Sequence, residues 1–91
     1  MRTWENTLDP HARIVFKLDV LKWSVSYLFY TGKWECIARI DNYPHDRKQL
    51  PHIHRYRQDK VEFRDLTFNE AEEVLISIGN RIRERIKDGS Y

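Results

Sequence analysis

Three of the four histidines in this chain, His45, His52 and His54, fall within ten residues, close behind Arg39 and Asp41. Imidazole has an unperturbed pKa of about 6.5, so it can give or take a proton near neutral pH. In an extended strand, the side chains of His52 and His54 point the same way, with Cα atoms roughly 6–7 Å apart. Arg39 and Asp41 share a face on the segment leading into the same loop, and all four meet if the two strands pair. Metal-free RNA cleavage needs such a group: a base for the 2′-hydroxyl proton, an acid for the leaving 5′-oxygen and a cation for the phosphorane-like transition state. Arg39 or Arg55 can supply the bidentate cation. The same residues offer a second chemistry: His52, His54, His45 and Asp41 are up to four ligands for zinc or another first-row metal. The first chemistry needs no cofactor.

Each feature also has a plainer reading. His-x-His on an exposed strand is often just a polar face, and clustered titratable groups mark sites only statistically. Asp41 and Asn42 ahead of Pro44 suit a turn without catalysis. Arg55 and Arg57 suit an edge strand, where charge discourages sheet-to-sheet pairing. Cys36 reads as a small buried hydrophobe rather than a nucleophile. Trp23, Tyr27, Phe29, Tyr30 and Trp34 read as core aromatics, and the lack of a ribonucleoprotein-type motif argues against base stacking.

The elements that must position these residues follow from periodicity. Ile14, Phe16, Leu18 and Val20 alternate with more polar neighbours, as do Val25, Tyr27 and Phe29 with Ser24 and Ser26, which predicts two strands joined by a turn near residues 19–22. Gly32 favours a turn at residues 31–33 because it takes positive φ without steric cost. Residues 34–41 read as the next strand, with Trp34, Cys36, Ala38 and Ile40 on one face and Glu35, Ile37, Arg39 and Asp41 on the other. A loop bounded by Pro44 and Pro51 precedes a strand over 52–57, and a turn at 58–60 leads to a short strand over 61–64. Thr67 and Glu70 have capping-box spacing. Ala71, Val74, Leu75, Ile78, Ile82 and Ile86 form a helical apolar stripe with acidic residues at its start and basic residues at its end, and Gly89 is a plausible stop. The expected fold is α+β, a small antiparallel sheet of about four to five strands packed on one C-terminal helix. Residues 1–11 read as a polar lead-in, 12–66 as sheet and 67–88 as helix.

Ninety-one residues suit one domain. With 41% hydrophobic and 33% charged residues, the composition is globular rather than disordered. The net charge is +2. Residues 39–64 hold seven Lys and Arg against four Asp and Glu. Arg55, Arg47 and Lys48 are the candidate contacts for an anionic substrate. The single cysteine forms no intrachain disulfide, no apolar run reaches the roughly 20 residues of a membrane span, and the N-terminus lacks the apolar core of a signal peptide. The expected location is the cytoplasm, without membrane contact. One helix covers one sheet face, so a homodimer or protein partner is expected on the other.

The segment Arg39-Ile40-Asp41-Asn42-Tyr43-Pro44-His45, followed by Pro51-His52-Ile53-His54, resembles the TumE-type toxins, a small toxin–antitoxin family with an Arg-aromatic-Asp-Asn-x-Pro-His segment ahead of a Pro-His-x-His segment. The aromatic strand over 26–30, its Gly-containing turn and the Glu-rich C-terminal helix are also similar to the family. Ile40 stands where an aromatic is usual, and Tyr43 where a small residue is. The resemblance implies a toxin neutralised by a helix-turn-helix antitoxin, and ribonuclease activity by analogy with small toxins. It carries Arg39, Asp41, His45, His52 and His54 as the matched positions. The roles assigned are His52 and His54 as acid and base, Arg39 as phosphate clamp and Asp41 as the group that orients a histidine or the loop.

Overall fold

The computed structural model describes residues 1–43 and 50–89. Among these residues six strands form one antiparallel sheet in sequence order: β1 (Arg2–Asp9), β2 (Ala12–Leu18), β3 (Trp23–Tyr30), β4 (Trp34–Asp41), β5 (His52–Arg55) and β6 (Lys60–Phe63). A single 3-10 turn over Tyr56–Gln58 separates the last two strands, and α1 (Phe68–Lys87) packs across one face of the sheet. The expected α+β architecture holds, with one strand more than predicted. Among the described residues no helix is long and apolar enough to cross a membrane.

The additional strand is β1, which corrects the reading of residues 1–11 as a lead-in. Its residues are mostly exposed, so it carries little of the alternating apolar signal by which a strand is recognised. Trp4 anchors it, with its ring stacked on Phe16 at 5.0 Å and edge-on to Phe68. Asp9, at the end of β1, forms an ion pair with Arg83 of α1.

The β2–β3 and β3–β4 turns fall where expected. The β2–β3 turn closes with the Asp19 amide donating to the Lys22 carbonyl at 2.7 Å. Gly32, at φ 97, turns β3 into β4. In β4 the facing differs from the simple alternation. Tyr27 pairs with Ala38, but the next residue, Leu28, pairs with Cys36, so Ile37 is an extra residue in a β-bulge. A bulge advances the strand by one residue and flips the facing of everything beyond it. Ala38 and Ile40 stay buried on the helix side with Ile37, while Trp34 and Cys36 share the opposite side with Arg39 and Asp41. The expectation that Arg39 projects away from the Trp34 side is therefore corrected.

The helix face of the sheet carries Ile14, Phe16, Val25, Tyr27, Ala38, Ile40 and Ile53, which enclose the core with Ala71, Leu75, Ile78 and Ile82. Thr67 and Glu70 form the reciprocal capping box, with Thr67 Oγ1 accepting from the Glu70 amide and Glu70 Oε1 accepting from the Thr67 amide. Phe68 holds the first turn against Trp4, Phe16 and Trp23. Gly89, at φ 76, follows the helix end. The other face of the sheet has no element laid across it among the described residues.

Candidate functional site

The site begins with strand register. β4 and β5 run antiparallel with Arg39 opposite His54 and Asp41 opposite His52. Across β3, Ser26 faces Arg39 and Ser24 faces Asp41. Side chains directly opposite in a sheet lie within contact distance on one face, so the four polar groups gather at one end of the helix-free face. The Ile37 bulge keeps Arg39 on this face together with Cys36.

Asp41 is the hub. Its side chain is 9% exposed, and its Oδ2 lies 3.1 Å from Arg39 Nε and 3.2 Å from His54 Nε2. Its Oδ1 accepts the Tyr43 backbone N–H at 3.1 Å and lies 3.9 Å from His52 Nδ1. The Tyr43 amide donates a hydrogen bond to this carboxylate, while Arg39 Nε is an ion-pair partner whose contact lacks hydrogen-bond geometry; so placed, the carboxylate can hold an imidazole in one orientation. From these distances the neutral His54 ring is assigned a proton on Nε2, donated to Asp41, which leaves Nδ1 as the basic nitrogen.

The two histidines differ in access. His52 is 1% exposed, with Nδ1 3.4 Å from the Asp41 carbonyl and its ring against Phe63. His54 retains 19% of its side-chain exposure. Burial pushes the His54 imidazole below its ordinary value. The Asp41 carboxylate works in the opposite direction, and Arg39 and His52 reinforce the decrease. A lowered value favours the neutral imidazole, the state a general base requires. The rings of His52, His54 and Tyr56 form a row, with His54 parallel to Tyr56 at 5.7 Å.

Arg39 leaves 31% of its side chain exposed, with its guanidinium 5.5 Å from the Tyr43 ring centre. It also reaches a shallow recess lined by Lys17, Leu28, Cys36 and Tyr56. Asn42 secures this end of the sheet: its Oδ1 accepts the Trp23 amide at 2.7 Å, and its Nδ2 donates to the Leu21 carbonyl at 2.9 Å. The end of β4 is thereby tied to the β2–β3 turn.

The sequence-derived candidates divide into three groups. Arg39, Asp41, His52 and His54 come together. Arg55 does not join them: it sits one position beyond His54, faces the helix side and bonds Glu62 at 3.1 Å. There it lines a groove with Ile78 and Arg81, on the face opposite the histidines beside which the sequence reading set it. His45, Arg47 and Lys48 lie outside the described residues. Among the described residues, no three His, Cys, Asp or Glu side chains gather as a metal-ligand set.

Tyr56 and Lys17 escaped the sequence reading. Strand 52–57 was expected to continue through Tyr56, but the chain turns there into the 3-10 segment, and nothing in the local pattern marks Lys17 as anything but a polar strand residue. Cys36 is half-buried, and burial pushes its thiol up, which disfavours a thiolate nucleophile.

No family model, curated protein or solved structure matches this chain.

Proposed function

We propose that this chain is the toxin of a toxin–antitoxin pair and acts as a metal-independent ribonuclease. The observation that carries the reading is the Asp41 carboxylate lying between Arg39 and His54 on the helix-free face of the sheet. His54 Nδ1 takes the proton of a 2′-hydroxyl, the 2′-oxygen attacks phosphorus, and the 5′-oxygen departs with a proton. Arg39 stabilises the negative charge that builds on the phosphoryl oxygens. His52, held behind His54, is a positioning residue in this scheme. His45, outside the described residues, is the candidate acid for the leaving group. A helix-turn-helix antitoxin is the proposed protein partner, on the strength of the two-motif resemblance to TumE-type toxins.

The test is incubation of the purified protein with mixed RNA, with and without EDTA, beside folded His54→Gln and Arg39→Ala variants. Cleavage should survive EDTA, leave 2′,3′-cyclic phosphate ends and fall by about 10²–10⁴-fold in His54→Gln. Loss of cleavage in EDTA would transfer His54 and Asp41 to a metal-ligand role. No cleavage, or an unchanged rate in His54→Gln, would remove the assignment. A non-enzymatic interaction module would then be the better account, favoured by Tyr30 and Trp34, 42% and 40% exposed on the same face. Light scattering would show whether that face makes a homodimer.

A further inference from the structure

Next to His54 the helix-free face dips into a recess. Val15 of β2, Leu28 of β3, Cys36 and Tyr56 make it largely apolar, Ser26 opposite Val15 adds a hydroxyl, and Lys17 and Arg39 bring two positive charges to it. Tyr56 is 48% exposed, and its ring lies parallel to that of His54. A flat ring and aliphatic side chains next to cations suit one ligand chemistry well: a nucleobase stacked on the ring, with its phosphate drawn to the charges. A base within a duplex is already stacked on its neighbours and cannot enter such a recess, whereas an unpaired base can.

We propose that this recess is a nucleobase subsite that makes the protein selective for single-stranded RNA, with an unpaired base seated on Tyr56 and Leu28 and the adjoining phosphate at Arg39 and Lys17. The inference deepens the ribonuclease reading and rests on it for the identity of the nucleic acid. The subsite places the base beside Tyr56 and hence the neighbouring ribose and phosphate near His54. Cys36 is the chain's one cysteine and lines the recess, so it reports on occupancy.

The probe is a single-stranded 2′-O-methyl RNA oligonucleotide, which lacks the free 2′-hydroxyl needed for cleavage, measured by fluorescence anisotropy beside the same strand annealed to its complement. The single strand should bind more tightly than the duplex. Tyr56→Ala should weaken binding by about tenfold or more, while Tyr56→Phe, which keeps the ring, should change it by no more than about twofold. In the unaltered protein the oligonucleotide should also slow alkylation of Cys36 by iodoacetamide, a readout that does not depend on the fold of any variant. Equal binding of strand and duplex, undiminished binding by folded Tyr56→Ala, or alkylation at the same rate with and without the oligonucleotide would each overturn the subsite, even where RNA is cleaved. Single-strand binding and Cys36 protection without cleavage of natural RNA would keep the subsite and overturn the ribonuclease reading instead.

Discussion

Asp41 has more partners than any other side chain in the cluster, and its charge and its shape contribute separately. Asp41→Asn keeps the shape but removes the negative charge that favours protonated His54. The midpoint of His54, followed by NMR titration, should lie below its ordinary value in the unaltered protein because burial outweighs the carboxylate. In Asp41→Asn it should fall further. A wild-type midpoint above about 6.5 would mean that the carboxylate outweighs burial. Asp41→Ala removes the acceptor as well, leaving Arg39, His54 and the Tyr43 amide without it, and should destabilise the fold by about 1–3 kcal/mol, read from urea denaturation. At this scale the four residues that the structure brings together are legible in the sequence, but their ranking is not. His52 and His54 are indistinguishable as letters in His-x-His. Only the packing of Phe63 against one, and the partial exposure of the other, separates a buried support from an accessible base.

Among the elements, α1 crosses β3 in close contact at a glycine. A Cβ added at Gly79 would lie 2.1 Å from Tyr27 Cδ2. That ring is fully buried and cannot swing aside, because its hydroxyl donates to Asn80 Oδ1 at 2.6 Å, one residue along the helix. Alanine is a better helix former than glycine by about 1 kcal/mol, yet Gly79→Ala should lower stability, by about 1–3 kcal/mol, because overpacking outweighs propensity. An unchanged or higher thermal midpoint would show that the helix can lift off the sheet at little cost. The elements legible in the sequence are those whose signal is local. The Thr67–Glu70 box depends on neighbours three residues apart, the β3–β4 turn on one glycine, and β4 on eight alternating residues. The illegible features are non-local. The Ile37 bulge exists because of its register with Leu28, β1 is a strand because Trp4 finds Phe16, and Gly79 is glycine because Tyr27 lies beneath it. The misplacement of Arg55 has a local cause: residues 54 and 55 of a strand point to opposite faces, so a charge next to the histidines in sequence cannot join them in space.

Across the whole molecule, carboxylate–arginine pairs tie elements together, some distant in sequence and some neighbouring. Asp9 of β1 meets Arg83 of α1, Glu35 of β4 meets Arg57 of the 3-10 turn, and Glu62 of β6 meets Arg55 and Arg64. The Arg83 hydrogen bond lowers the Asp9 carboxyl and the Arg57 hydrogen bond lowers that of Glu35. For Glu62 burial acts upward, but the bonds from Arg64 and Arg55 prevail. A carboxyl lowered in the folded state binds fewer protons there than in the unfolded chain. Its contribution is complete above the ordinary carboxylate range of about 4 and is lost as pH falls through the lowered folded value. His54 is also lowered and follows the same sign in a higher window: the unfolded chain takes up its proton first, near pH 6.5, so stability declines as pH falls from there toward the folded value. Urea midpoints measured from pH 8 to pH 3 should therefore fall in two stages, a shallow one beginning near pH 6.5 and a steeper one below about pH 4.5. His54→Gln should reduce the first stage and leave the second in place. Arg83→Met should reduce the second by releasing Asp9 toward its ordinary value. A shallow stage of the same size in His54→Gln would move it to another group and contradict a lowered His54.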